Sequence, residues 1–260
     1  MSINPGTSQK ASPSSKVVKL RNEKLEIRNS FHLAFSLVEL LVVIAIIALL
    51  LSILTPSLRK ARSSAMRLTC THNLKQIDMA IRLYIGANDN TFPCAQDPVS
   101  TKPFYWLWMG RGWRLFVQPY LGEKVDVNNP SVLLCPQDRT DPAKYESTSY
   151  AYSMAFYHSP EQIDAMSSET ETYSSPQPSI PQRSDAVANP AGKIIIGEWL
   201  SNHYPIAEDK GWWNWQGCRN FLFADGQVQF LEAAQIRPAR DGLPDANLTI
   251  HGIKGIDYSP

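Results

Sequence analysis

The sequence predicts an α+β protein: one long amino-terminal helix packed on a small, antiparallel, β-rich carboxyl-terminal domain. Three observations lead there. "AFSLVELLVVIAIIALLLSIL" (34–54) is an unbroken apolar run with one acid. From residue 58 to about 84 the apolar residues recur at three- and four-residue spacing, the period of a helix with one greasy face. "NFLFADGQVQFL" (220–231) reads as two strands joined at Asp225-Gly226, a dipeptide that favours a two-residue hairpin turn.

The apolar run comes first in the chain. Between Asn29 and Leu58 the one charged residue is Glu39. The 21 residues Ala34–Leu54 span about 31 Å as a helix at roughly 1.5 Å per residue, matching the ~30 Å hydrocarbon core of a bilayer. A secretory signal has a shorter apolar core of about 7–15 residues and a small-residue cleavage site. Here Ser52, Thr55 and Pro56 follow without an A-x-A pattern, so the segment is expected to stay in the protein. An acid in such a helix needs a reason, since it costs roughly 2.5–3.5 kcal/mol at the bilayer centre. Residues 1–33 are polar and carry a net charge of +4, which places the amino terminus on the cytoplasmic side. Arg59, Lys60, Arg62 and Arg67 on the far side weaken that contrast.

The helix is expected to continue past the membrane. Leu58, Ala61 and Ala65, then Met66, Cys70, Leu74, Ile77, Ile81 and Tyr84, mark its stripe, and Gly86 in "GANDN" is the expected C-cap. Pro56 lies inside and is expected to kink the helix or loosen one turn, or to separate two helices. A membrane half (35–54), an amphipathic half (55–88) and a β-rich domain (89–260) are expected to follow the basic, polar amino-terminal segment. A loop insertion is expected near 158–190. "KIIIGEW" (193–199) reads as a buried strand. Outward from the two-residue turn, Phe223 pairs with Val228 and Phe221 with Phe230, giving the hairpin an apolar face that packs on the second half of the helix. Trp106, Trp108 and Trp113 in "FYWLWMGRGW", and the tryptophans of "GWWNWQG" (211–217), read as core residues, the latter with a carbohydrate or protein contact as the alternative.

Composition excludes some function classes. A net charge of +1 and no basic stripe argue against nucleic-acid binding. No phosphate loop, nucleophile elbow or dinucleotide fingerprint is present. His32, His72, His158, His203 and His251 have no partners at metal-ligand spacing, which argues against a catalytic metal site. Absence of motifs favours a non-enzyme. The four cysteines, Cys70, Cys94, Cys135 and Cys218, form no CxxC pair; outside the cytoplasm they are disulfide candidates of open connectivity, with buried free thiols as the alternative. No cofactor is expected. Asp225 with Asn220, and "NDN" at 88–90, offer oxygen atoms of the kind calcium takes, although the turn alone explains Asp225.

"AFSLVELLVVIAIIALLLSILTP" (34–56) resembles the signal of type IV prepilins and type II secretion pseudopilins. "CTHNLKQIDMAIRLYIGANDNTFP" (70–93) is similar to the helix end of the G subtype, and "LLCPQD", "SYAYS" and "FLFADGQV" resemble elements of a subgroup with a carboxyl-terminal Asp-Gly motif. Alanine stands at the cleavage position where glycine is usual. Trp215 stands where that subgroup often has a histidine. The resemblance implies a pilin-like fold, and cleavage between Ala34 and Phe35 by a membrane-embedded prepilin peptidase that also methylates Phe35. It implies a single-pass inner-membrane protein with a periplasmic domain. It also implies assembly with copies of itself and other pseudopilins on an inner-membrane platform, into a filament of a type II secretion-like system. Glu39 would then neutralise the amino terminus of a neighbouring subunit. The alternative is a membrane-anchored periplasmic binding or enzymatic domain that uses the signal for delivery.

Overall fold

A computed structural model describes residues 36–94, 112–122, 131–139, 148–166 and 179–259. The chain divides into two compact units, Met1–Leu51 and Ser52–Pro260. Helix α1, Leu37–Ala87, is 51 residues long and contributes to both. It is long and apolar enough to cross a membrane.

In the first unit α1 opens with a reciprocal cap. The Ser36 hydroxyl oxygen accepts from the Val38 N–H at 3.2 Å, and Glu39 Oε2 accepts from the Ser36 N–H at 2.9 Å. Two donors that a helix start leaves unpaired are thereby satisfied, with a negative charge at the positive end of the helix dipole. The side chains that follow, among them Leu41, Ile44, Ile47 and Leu51, are all exposed.

The second unit starts with α1 still exposed; burial begins at Cys70. Cys70, Asn73, Leu74, Ile77, Asp78, Ala80 and Ile81 form the buried face; Cys70, Leu74, Ile77 and Ile81 are the predicted stripe, Tyr84 of that stripe is half-buried, and Asn73, Asp78 and Ala80 are additions. The earlier members of that stripe, Leu58, Ala61 and Ala65, are exposed. Pro56 lies inside one assigned helix rather than between two, and the Ser57 hydroxyl donates back to the Ile53 carbonyl at 3.3 Å beside it. The terminator differs from expectation. Gly86 is helical, and Asp89 (φ 47°) and Asn90 (φ 58°) take the left-handed conformation instead, which short polar side chains tolerate.

Four antiparallel strands form one sheet in the order β1 (Tyr150–Tyr152), β2 (Ile194–Glu198), β3 (Cys218–Phe223) and β4 (Val228–Glu232). Strand β2 is the predicted "KIIIGEW" strand, and every residue of it is buried. Gly197 is required there, because a Cβ would lie 2.6 Å from the Phe221 ring. The β3–β4 hairpin forms one residue out of the predicted register: Leu222 faces Val228, Phe221 faces Gln229 and Asn220 faces Phe230. The connection is a three-residue loop, Ala224-Asp225-Gly226, closed by the Phe223 N–H to Gln227 O at 2.9 Å. Gly226 alone has positive φ (+90°), whereas the predicted turn needs it at both positions. A one-residue slip exchanges the faces. The hairpin does meet the second half of α1, but through the Asn220–Phe230 face. Thr71 donates to Asn220 Oδ1 at 3.2 Å, Arg67 lies 4.7 Å over the Phe230 ring, and Lys75 reaches Gly226 O at 2.5 Å.

Two short helices, α2 (Gly112–Leu121) and α3 (Pro160–Ala165), complete the second unit. Trp113 and Val117 of α2 are fully buried, while Trp106 and Trp108 lie outside the described residues. Helix α3 starts with a Ser159/Gln162 capping box inside the stretch expected to be a loop insertion. In "GWWNWQG", Trp212 is core and Trp213 packs edge-on against Trp199 at 4.7 Å, whereas Trp215 is exposed. The tail returns to β2 through a buried ion pair: Lys193 Nζ lies 3.0 Å from Asp257, whose other contacts include the Ile194 N–H at 2.7 Å.

Candidate functional site

Four side chains from four parts of the second unit converge behind the sheet. Cys70 comes from the buried face of α1. Cys135 opens the turn "CPQD", in which Asp138 N–H donates to Cys135 O at 3.0 Å and Pro136, at the second position, presets the backbone. That turn is held by the Cys135 N–H to Ser149 Oγ (2.8 Å) and by Asn73 of α1, whose amide donates to Leu134 O (3.1 Å). Glu198 ends β2, and His203 lies in the turn that follows, closed by Tyr204 N–H to Ser201 O.

The donor atoms of Cys70, Cys135, Glu198 and His203 all lie within 4.8 Å of one another. Cys70 Sγ is 2.7 Å from Cys135 Sγ, His203 Nε2 is 3.4 Å from Cys135 Sγ, and the same nitrogen is 2.9 Å from Glu198 Oε1. Both cysteines and Glu198 are buried, and the His203 side chain is 1 % exposed. Glu198 and His203 are also gripped from behind. Glu198 Oε2 accepts from the Asn220 N–H at 2.8 Å and from its amide at 3.0 Å, and His203 Nδ1 donates to Gln137 Oε1.

This geometry sets the protonation states. Burial pulls the His203 imidazolium down, but hydrogen bonds to Cys135 and Glu198 outweigh it and push the group up to about 9. Both ring nitrogens then donate, one to Gln137 and one to Glu198. The Cys135 thiol is held well above its ordinary range by the Cys70 contact and by burial, with His203 opposing. Chemically, the group offers two sulfurs, one imidazole nitrogen and one carboxylate oxygen around a common point.

The other sequence candidates fall elsewhere. Ala34 and Phe35 lie outside the described residues. Glu39 occupies the first turn of α1, and Pro56 lies inside that helix. All four cysteines are free thiols; only the Cys70–Cys135 pair belongs to the cluster. Burial raises Cys94 to about 11. Asp225 accepts from the Gln227 N–H at 2.9 Å, the turn role, while Asn220 is committed to Glu198 and Thr71. In "NDN", Asn88 caps the Tyr84 carbonyl and Asn90 meets Ser184. Among the described histidines, His203 alone joins the cluster; His251 pairs with Asp164 at 2.9 Å, and His158 is buried and lowered to about 4 by desolvation.

Glu198 and His203 were not singled out from sequence. One signal was available: an acid closing an otherwise apolar, fully buried strand has to be paired. No family model, no curated protein and no solved structure matches this chain.

Proposed function

We propose that this chain is a pilin-like structural subunit, processed between Ala34 and Phe35, methylated at Phe35 and assembled through α1 into a filament of a type II secretion-like system. The observation that carries this reading is the division of labour within α1. Among the described residues, the apolar side chains of 37–54 are exposed, with Glu39 the one acid among them, whereas Cys70, Leu74, Ile77 and Ile81 belong to the chain's own core. A bilayer satisfies the first set before assembly, and the same set from neighbouring copies satisfies it within a filament core.

In this reading the subunit waits in the inner membrane with its amino terminus inside and its globular domain in the periplasm. A prepilin peptidase and an assembly platform act on it there. Glu39 has two successive partners. In the unprocessed chain its carboxylate caps the Ser36 N–H. Cleavage creates an amine at Phe35, four residues before Glu39 in the sequence, and a neighbour's amine offsets the carboxylate in a low-dielectric filament core, which rewards one register of docking.

Glu39→Ala and Glu39→Gln test this. Both variants are expected to be cleaved and methylated like the parent, and both are expected to lose filament assembly when expressed with the matching secretion genes. Normal filaments from either variant would remove Glu39 from the mechanism.

The alternative, an anchored enzyme or ligand-binding domain, draws no support from the Cys/Glu/His cluster. Its donor atoms point at one another in the interior rather than into an open cleft.

A further inference from the structure

We propose that Cys70, Cys135, Glu198 and His203 form a closed, four-coordinate site for a zinc-class divalent cation, which clamps the buried face of α1 to the end of β2. The inference is independent of the filament reading.

The donor set is the one such an ion takes: two thiolate sulfurs, one imidazole nitrogen and one carboxylate oxygen, four in number. Bonds of about 2.0–2.3 Å to a central ion keep tetrahedral ligands within about 4 Å of one another. The mutual span of 4.8 Å therefore needs only side-chain rotation, with the two sulfurs moving apart from 2.7 Å.

The outer contacts argue for the ion over a plain disulfide. A disulfide would use two of the four groups and leave unexplained why His203 Nε2 and Glu198 Oε1 face the same point. Metal-bound histidines are held through their other ring nitrogen, and metal-bound carboxylates through further hydrogen bonds. Here Gln137 holds Nδ1 and turns Nε2 inward, and Asn220 holds Oε2 and turns Oε1 inward. Both outer residues are themselves fixed, Gln137 by the Cys135–Asp138 turn and Asn220 by β3 and Thr71. Binding releases the two thiol protons and the Nε2 proton to solvent, and no electron transfer is involved.

The ion would join elements that are distant in sequence: Cys70 and Cys135 are 65 residues apart and Cys135 and His203 are 68. A tie of that kind fixes the second half of α1 to the end of β2.

The test uses the full chain, purified in detergent without chelator. Metal analysis is expected to find about one zinc per chain. Replacement by cobalt(II) is expected to give thiolate-to-cobalt charge transfer and the intense visible bands of a tetrahedral site. Cys135→Ser should abolish the charge-transfer signal from that sulfur, whereas Cys94→Ser and Cys218→Ser should retain the full spectrum. Gln137→Ala, which touches the ion only through His203, should weaken zinc binding roughly 10–100-fold with the cobalt spectrum still tetrahedral. If Cys135→Ser fails to fold, the parent spectrum and the Gln137→Ala affinity still decide. A parent that takes up neither metal, a cobalt spectrum without thiolate bands, or a Cys70–Cys135 disulfide peptide from the freshly isolated protein would overturn the proposal.

Discussion

The two halves of α1 have similar helical geometry and opposite chemistry. Residues 37–54 are apolar on every face and exposed on every face. Residues 70–81 are apolar on one face, and that face is at most 8 % exposed at every buried position. A helix apolar all round requires an environment that covers all of it, such as a bilayer or a bundle of like helices. A helix apolar on one stripe needs only the chain's own core, and here Asn73 donates into it, to Leu134 O and to the Tyr150 hydroxyl of β1. The contrast teaches that the second half is explained by the fold of this chain, whereas the first half is exposed and long and apolar enough to cross a membrane.

Substitutions can break that contrast at either end. The largest effect belongs to the buried half: Leu74 is fully buried, and Leu74→Ala should cost about 2–5 kcal/mol of stability. The matching change in the exposed half, Ile47→Ala, should stay within about 0.5 kcal/mol. Denaturant unfolding of the full chain in detergent, followed by tryptophan fluorescence of the globular unit, reads both. Equal losses would mean that the first half contributes to the same core.

Gly197→Ala is expected to cost about 1–3 kcal/mol, because the new methyl would press on Phe221 and Trp212 where the sheet is most tightly packed. The same denaturation experiment measures it. An unchanged midpoint would show that the two rings have room to move.

A further effect is graded with pH. Asp245 is buried, and burial raises its carboxyl from the ordinary range to about 7. Between the unfolded value near 3.8 and about 7, the folded chain holds a proton that the unfolded chain has lost. Stability from this group therefore falls as pH rises across that window, by at most about 1.4 kcal/mol per pH unit, and levels off above it. The difference between the parent and Asp245→Asn should follow that curve, since asparagine does not titrate. A difference independent of pH between 4.5 and 8 would contradict it.

Much of this architecture is legible in the sequence where a pattern repeats locally. The stripe from Cys70 to Ile81 appears at the residues that the spacing names, and "KIIIGEW" is β2. Legibility fails where two local solutions share one signature. Asp225-Gly226 suits a two-residue turn and equally the last two positions of a three-residue loop; the chain takes the second, and every cross-strand pair moves by one. It fails again at the helix end, where Asp89 and Asn90 do what Gly86 could have done. The Cys/Glu/His cluster was the least readable feature. Its ligand-type residues come from a helix, a loop, a strand end and a turn, so no spacing rule joins them. Only the fold makes them neighbours.

The central claim is that the apolar first half of α1 is a retained, processed filament helix. Mass analysis of the amino terminus of the mature protein tests it most directly. The account predicts a chain that begins at Phe35 with a methylated amine. A chain that keeps residues 1–34, or one cut beyond Leu54, would contradict it.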